Sequence, residues 1–282
     1  MKVFIQSNKF QKLAAKAARY SFIKNGFNDV EILDLENCNV LNRNIGKQYL
    51  RNGKLVNFEY NDLQSFTLLR FLPPKIQSSG FCIVIDPDIF AIKNPLENLR
   101  KIITKDVDIF CTEINNQLRS EVMILNLENK IWDYNRLIDD LFNKRIDYSE
   151  LLNLSLFKNL KIKKLDIVFN HHDKINEETI FLHTSNRITQ PWKEDLNINF
   201  KTFFTNKYKF INLIKYLLKM NYDPRVISKK FLKHPNVNVS NFIIKTFNDA
   251  IKNEHISKDD LNFAVMNNYI SRTFINKLYI NE

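Results

Sequence analysis

The chain has 282 residues, 44% of them hydrophobic and 26% charged, with a net charge of +11. This composition excludes disordered and collagen-like classes and suits a globular protein of one large α/β domain, or one domain with an appendage. The positive charge admits nucleic acid, an anionic membrane or phosphorylated ligands as partners, but the lysines are scattered and no arginine-rich block exists, so nucleic acid is not expected. Cys38, Cys82 and Cys111 form no C-x-x-C and no even set. Neither a disulfide framework nor a zinc knuckle is expected from them, which fits a reducing, cytoplasmic location.

Met1–Ile5 (MKVFI) predicts a first strand, and it lacks the long apolar core of a signal peptide. Leu13, Ala14, Ala17, Ala18 and Phe22 recur at helical spacing and predict a helix over Gln11–Lys24. Val30–Leu35 (VEILDL) alternates like a second strand, and residues 36–61, with Gly46 and Gly53, read as an irregular loop or flap. A helix over Leu63–Leu72 is expected to stop at Pro73-Pro74. Phe81–Ile85 is a short, apolar, β-branched run, the pattern of a strand covered on both faces. Asp106–Thr112, Glu121–Asn126, Leu165–Phe169 and Thr179–His183 are further strand candidates, and Tyr134–Lys144 is helical with Trp132 packing on it. After Phe200 only helical patterns follow, over Phe204–Met220, Val239–Asn253 and Lys258–Asn268. The expected organisation is an α/β domain at 1–200 and a helical extension at 201–282, with no run of about 18 apolar residues to span a membrane.

Only four glycines are present, at 26, 46, 53 and 80. A glycine-rich phosphate loop cannot be built from them, so a bound nucleoside diphosphate would have to be neutralised by side chains or a metal. Asp86-Pro87-Asp88, at the end of the apolar run, offers two carboxylates. In an extended chain residues i and i+2 point the same way, and hard oxygens suit Mg²⁺ or Mn²⁺; the alternative is a simple turn, which Asp and Pro both favour. His183 ends another apolar strand, either as a neutral imidazole ligand or as a hydrogen-bonded structural residue. His171 and His172 are adjacent, so a strand would send them to opposite faces, with one lining a cleft or both lying in a loop. Trp192 after Pro191 reads as a packing anchor with stacking as the alternative. No Ser/His/Asp set or G-x-S-x-G argues for a hydrolase.

The segments SFTLLRFLPPKI, FCIVIDPDIF, EVMILNL, FNHHD and FLHTSNRITQPW follow one another in this order. Their order and content resemble the family 8 glycosyltransferases and related bacterial GT-A enzymes over residues 1–200. The resemblance implies a GT-A (Rossmann-like) nucleotide-diphospho-sugar transferase core with a helical C-terminal region. It also implies a Mn²⁺ or Mg²⁺ site at Asp86, Asp88 and His183, a donor contact from Arg70, a role for Asn170 ahead of the final strand, and base contacts at Ile5 and Ser7. Departures lie on the sugar side. Ser7 stands where the family often has aspartate, and Arg119 and Glu121 replace an asparagine and a glycine. The H-x6-P-W spacing is H-x7-P-W, with Gln190 in place of lysine, so Arg187 or Lys193 would hold the phosphate. Asp147 in RIDYSELL stands roughly where the family has D-Q-D.

The expected function is therefore metal-dependent transfer of a sugar from a nucleotide-sugar donor to an unidentified acceptor (glycan, lipid-linked or small molecule). Retention is implied by the resemblance alone. The alternatives are a nucleotidyltransferase and a non-catalytic protein that binds nucleotide or an anionic surface. Asp86→Asn and Asp88→Asn are expected to remove metal-dependent nucleotide binding and leave the fold intact. In the tail, Phe210, Ile214, Leu217 and Leu218 make an apolar stripe beside Lys207, Lys209, Lys215 and Lys219. Packing on the catalytic domain or a second subunit is the simpler expectation for it, and peripheral contact with the inner face of a membrane is the other.

Overall fold

The computed structural model describes all residues except 61, 63, 130, 199–205, 222 and 279–282. The chain forms two compact units, Met1–His183 and Thr184–Glu282. The strands of the first unit are β1 (Lys2–Ser7), β2 (Val30–Asp34), β3 (Gln48–Arg51), β4 (Lys54–Asn57), β5 (Phe81–Ile85), β6 (Ile89–Ala91), β7 (Ile109–Ile114), β8 (Gln117–Asn126), β9 (Ile162–Leu165), β10 (His171–His172) and β11 (Phe181–His183). Six of them build one mixed sheet in the order β2-β1-β5-β8-β7-β9. Strand β1 runs parallel to both β2 and β5, whereas β8 is antiparallel to β5 and β7.

Parallel neighbours need a crossover, and α1 (Lys12–Lys24) supplies the first. Its buried face is made largely of Ala14, Ala15, Ala17 and Ala18, small residues that let a helix approach a sheet closely, with Phe22 as the large anchor. Cys82, Ile83, Val84 and Ile85 of β5 are fully buried, which explains an apolar run without alternation. Each large aliphatic side chain buried here contributes roughly 1.5–3 kcal/mol. Because β1, β2 and β5 point the same way, Ser7, Asp34 and the residue after Ile85 come out on one edge of the sheet. In the register, Ile5 lies opposite Ile85, so Gln6 is level with Asp86. A small second sheet, β10-β11-β6, pairs β6 antiparallel to β11.

Several local expectations are corrected. Residues 36–61 are not an irregular loop. They hold α2 (Asn39–Asn42) and the antiparallel hairpin β3–β4. Asn52 and Gly53 close the hairpin with φ of 50° and 70°, the left-handed pair that a two-residue hairpin turn requires and that Asn-Gly adopts readily. Tyr49 of this hairpin packs against Phe58, Phe142 and Tyr148. Ser65–Phe71 is a 3₁₀ segment, and Leu63 lies outside the described residues. That segment stops before the two prolines, as expected, but the prolines have a second role. They open α3 (Pro73–Ile76), since proline is pre-organised for the first turn of a helix. Past α4 (Leu96–Ile102) the sheet continues to β7 and β8, followed by α5 (Tyr134–Phe142) and α6 (Tyr148–Leu152). Trp132 donates to the Phe71 carbonyl and packs its ring on Phe71 and Phe157. Strand β9 ends at Leu165, and Asp166 caps a 3₁₀ turn over Ile167–Asn170 where a strand was expected.

The second unit is helical: α7 (Asn206–Leu217), α8 (Pro224–Ile227), α9 (Val237–Lys252), α10 (Lys258–Met266) and α11 (Arg272–Leu278). The first residues expected in its leading helix, 204 and 205, lie outside the described residues. Trp192 is a packing anchor, 1% exposed and stacked on Phe247, which in turn meets Phe274 edge-on. Among the described residues no helix is long and apolar enough to cross a membrane.

Candidate functional site

Strand β5 leads directly into Asp86-Pro87-Asp88-Ile89. The Ile89 N–H donates to the Asp86 carbonyl at 3.2 Å, so the four residues form a β-turn with proline at its second position. The two aspartates are thus not presented by an extended segment, as expected from sequence, but by a turn. Ile89 then opens β6, and its partner across the ladder is His183 of β11. That pairing carries the imidazole to the turn: His183 Nε2 lies 3.6 Å from Asp88 Oδ1. One ligand atom each from Asp86, Asp88 and His183 falls within 4.8 Å of the others.

Asp86 is 8% exposed and tightly held. Arg70 donates to it through two nitrogens, Nε to Oδ1 at 2.9 Å and Nη2 to Oδ2 at 2.5 Å, and Gln6 Nε2 donates to Oδ1. Arg70 Nη1 donates to Ser120 Oγ at 2.8 Å, and the Ser120 hydroxyl donates to the Leu152 carbonyl. Burial works against the Arg70 charge, but Asp86 and Glu121 outweigh it and raise its pKa. All three guanidinium nitrogens therefore donate within the protein, and Arg70 acts on Asp86. A carboxylate has about four acceptor positions; three on Asp86 are used, which leaves a position on Oδ2. The expectation that Asp86 is a strand-end residue dispensable to the fold is corrected: its charge is the counter-ion of a buried arginine.

His183 is oriented from behind. Asn170 Nδ2 donates to Thr112 Oγ1 at 3.1 Å, which turns Asn170 Oδ1 toward His183 Nδ1 at 2.9 Å. Oδ1 can only accept, so Nδ1 carries a proton and Nε2 is the nitrogen that faces the aspartates, where it could offer a lone pair to an ion. The adjacent histidines do divide their roles. His171 Nδ1 bonds Thr179 Oγ1 at 2.7 Å. His172 sets its ring edge-on to His183 with centroids 4.9 Å apart. Burial first, and His183 second, push the His172 pKa down to about 4, so it stays neutral.

Glu121 borders this cluster. It is buried, its carbonyl accepts from the Asp86 N–H at 3.2 Å, and its carboxylate takes a two-point ion pair from Arg119. Burial favours its neutral form, but Arg70, His183 and Arg119 overcome that and lower its pKa to about 2. Gln6 was missed by sequence reasoning. Its signal was a lone amide at the end of an otherwise apolar strand.

The remaining predicted site residues have other surroundings. Ile5 is fully buried inside β1, and Ser7 Oγ donates to the Asn8 carbonyl. Asp147 caps α6 and accepts from Asn52 N–H at 3.0 Å and Gly53 N–H at 2.7 Å, tying the hairpin tip to the helix. Arg187 and Lys193 belong to the second unit, where the Lys193 ammonium sits 5.5 Å from the Phe231 ring centroid.

No protein-family model and no curated protein matches the sequence. Among solved structures the chain is similar to the apo form of mouse xyloside xylosyltransferase 1, at 13% identity and a TM-score of 0.45, over 66% of this chain and 97% of that one. It is similar to the glycosyltransferase GlyE of Streptococcus pneumoniae TIGR4 at 13% identity and a TM-score of 0.48, over 79% of this chain and 64% of that one. It is also similar to the galactosyltransferase LgtC, solved with donor and acceptor sugar analogues, at 13% identity and a TM-score of 0.45, over 68% of this chain and 89% of that one. The mixed α/β sheet and the helical second unit are features of this chain's own structure.

Proposed function

We propose that the chain is a metal-dependent glycosyltransferase that draws its sugar from a nucleotide-sugar donor. The observation that carries this is the convergence of Asp86, Asp88 and His183 at the edge where the parallel strands end. Ligand edges of open α/β sheets lie at the carboxyl ends of their strands. Metal–ligand bonds of about 2.0–2.6 Å place two ligand atoms on one ion at most about 5 Å apart, and the three atoms here lie within 4.8 Å. Two carboxylates and one neutral imidazole form a donor set suited to Mn²⁺ or Mg²⁺. Asp88 and His183 Nε2 would hold the ion with the open position of Asp86. When bound, such an ion would offset the negative charge that grows on a departing diphosphate.

The chain's own residues support this role in distinct ways. Arg70 and Gln6 fix the Asp86 carboxylate, and Asn170 fixes the His183 tautomer. Beside the cluster, buried Glu121 is paired with the more exposed Arg119. The test is a titration of nucleoside diphosphates with and without Mn²⁺, followed by a screen of nucleotide sugars for Mn²⁺-dependent donor hydrolysis. Support requires metal-dependent binding that Asp88→Asn removes. Equal nucleotide affinity with and without metal would overturn the proposal.

A further inference from the structure

Helix α7 is built inside out. A helix on the surface of a water-soluble domain buries its apolar stripe and exposes its polar one. Among the described side chains of α7 the buried one is Asn212, 2% exposed, whose Nδ2 donates to the Tyr208 carbonyl and whose Oδ1 accepts from the Asp223 N–H at 2.9 Å, at the start of α8. Phe210, Ile211, Leu213, Ile214, Leu217 and Leu218 are each 39–68% exposed. From Phe210 onward these six, at about 100° per residue, fill one continuous half of the helix circumference, while the positions of Asn206 and Lys207 in the first turn project onto the same half. Leu218 still belongs to that surface, because its N–H donates to the Ile214 carbonyl at 2.9 Å.

Charge says what covers the face. Between Asp195 and Asp223 the sequence has five lysines and no acidic residue. On the same projection Lys209 and Lys215 fall at the two margins of the apolar half, where their aliphatic stems can lie along it and their ammonium groups extend beyond it. A second copy of the chain would bring the same lysines against one another, like charge facing like. An anionic surface would meet them with opposite charge. Twelve residues of helix are about 18 Å long, too short to span a bilayer, so the helix would lie in the plane of the interface.

We infer that α7 is an in-plane docking helix for an anionic lipid bilayer. The apolar half enters the acyl boundary, and the lysines at its margins meet the headgroups. This is independent of the transferase proposal, which rests on other residues.

The test is co-sedimentation of the full chain with phosphatidylcholine vesicles, with and without phosphatidylglycerol. Binding is expected only with the anionic lipid. It should weaken as ionic strength rises from about 0.1 M to about 1 M, which shortens the screening length from about 10 Å to about 3 Å. Phe210→Asp with Leu217→Asp should lower binding at least about tenfold. Lys209→Gln with Lys215→Gln should lower it too, and this second variant decides the matter if circular dichroism shows the first to be unfolded. Equal binding to neutral and anionic vesicles, or unchanged binding by both variants, would overturn the inference. So would a dimer in light scattering that the aspartate variant dissociates while vesicles bind neither protein, which would make the face an interface between copies.

Discussion

Asp86→Asn and Asp88→Asn should separate metal binding from folding. Both variants lose a carboxylate at the proposed ion site, and both should lose Mn²⁺-dependent nucleotide binding. Their stabilities should differ. Asp86 accepts two bonds from Arg70, and the two side chains are 6% and 11% exposed. Removing one partner of a buried ion pair costs about 3–5 kcal/mol, because the other charge is left uncompensated. Glu121 remains near Arg70 as a partial counter-charge, which places the expected cost at the lower end, about 3 kcal/mol. For a unit of this size that is a fall of roughly 6–12 °C in Tm. Asp88 faces His183 at 3.6 Å, and its amide variant leaves the two-point counter-ion of Arg70 in place, so its cost should be smaller than that of Asp86→Asn. Thermal and urea melts in the absence of metal measure the difference. Arg70→Met combined with Asp86→Asn should regain much of the loss, since removing both charges leaves none stranded. The reasoning fails if Asp86→Asn melts within about 2 °C of the parent, or if the double variant is no more stable than Asp86→Asn alone.

Asn170→Ala should lower Mn²⁺ affinity about 10–100-fold by freeing the His183 ring and its tautomer; calorimetric titration with the metal alone reads this. Asp147→Ala should cost about 1 kcal/mol as a lost helix cap and speed amide exchange at Asn52 and Gly53. Burial opposes the Asp147 charge, but hydrogen bonds from Gly53, Ser149 and Asn52 win and hold its pKa down. Its clamp is therefore complete above the ordinary carboxylate range and is lost as pH falls through the depressed folded value, so exchange at those two amides should rise in acid. Burial pushes the Cys82 and Cys111 thiols up to about 12, so thiol reagents should label them at neutral pH only as the protein unfolds.

Much of the sheet was legible because burial leaves marks in composition. Phe81–Ile85 has no polar position to turn to water, and β5 coincides with it. Strand β1 and helix α1 were equally plain. The hairpin at 48–57 was read as a loop: Asn52-Gly53 marked its turn, but its strands are four residues each and carry little periodicity. What could not be read was pairing at a distance. Nothing near Arg70 says that its three nitrogens are spent on Asp86 and Ser120, and nothing near Asn170 says that it faces His183. Those contacts depend on which strands become neighbours. Asp147 shows the converse hazard: its place in the sequence suggested a ligand contact, while its oxygens serve a cap and a turn. In α7 the apolar stripe was visible, but only the burial of Asn212 shows that the stripe is the outer side.

The pairing of β6 with β11 has a further consequence for how such a site can change over evolution. Ile89 follows Asp88 directly and faces His183 across the ladder, so the distance from carboxylate to imidazole is set by strand register and not by chain length. The segment from Asp173 to Ile180 could gain or lose residues without moving the ligand atoms, provided Phe181–His183 kept its place beside Ile89–Ala91. A slip of one residue in that short ladder would turn the imidazole to the opposite face. Drift in loop length is thus tolerated where drift in register is not, and fixed-interval sequence patterns are poor detectors of a centre assembled in this way.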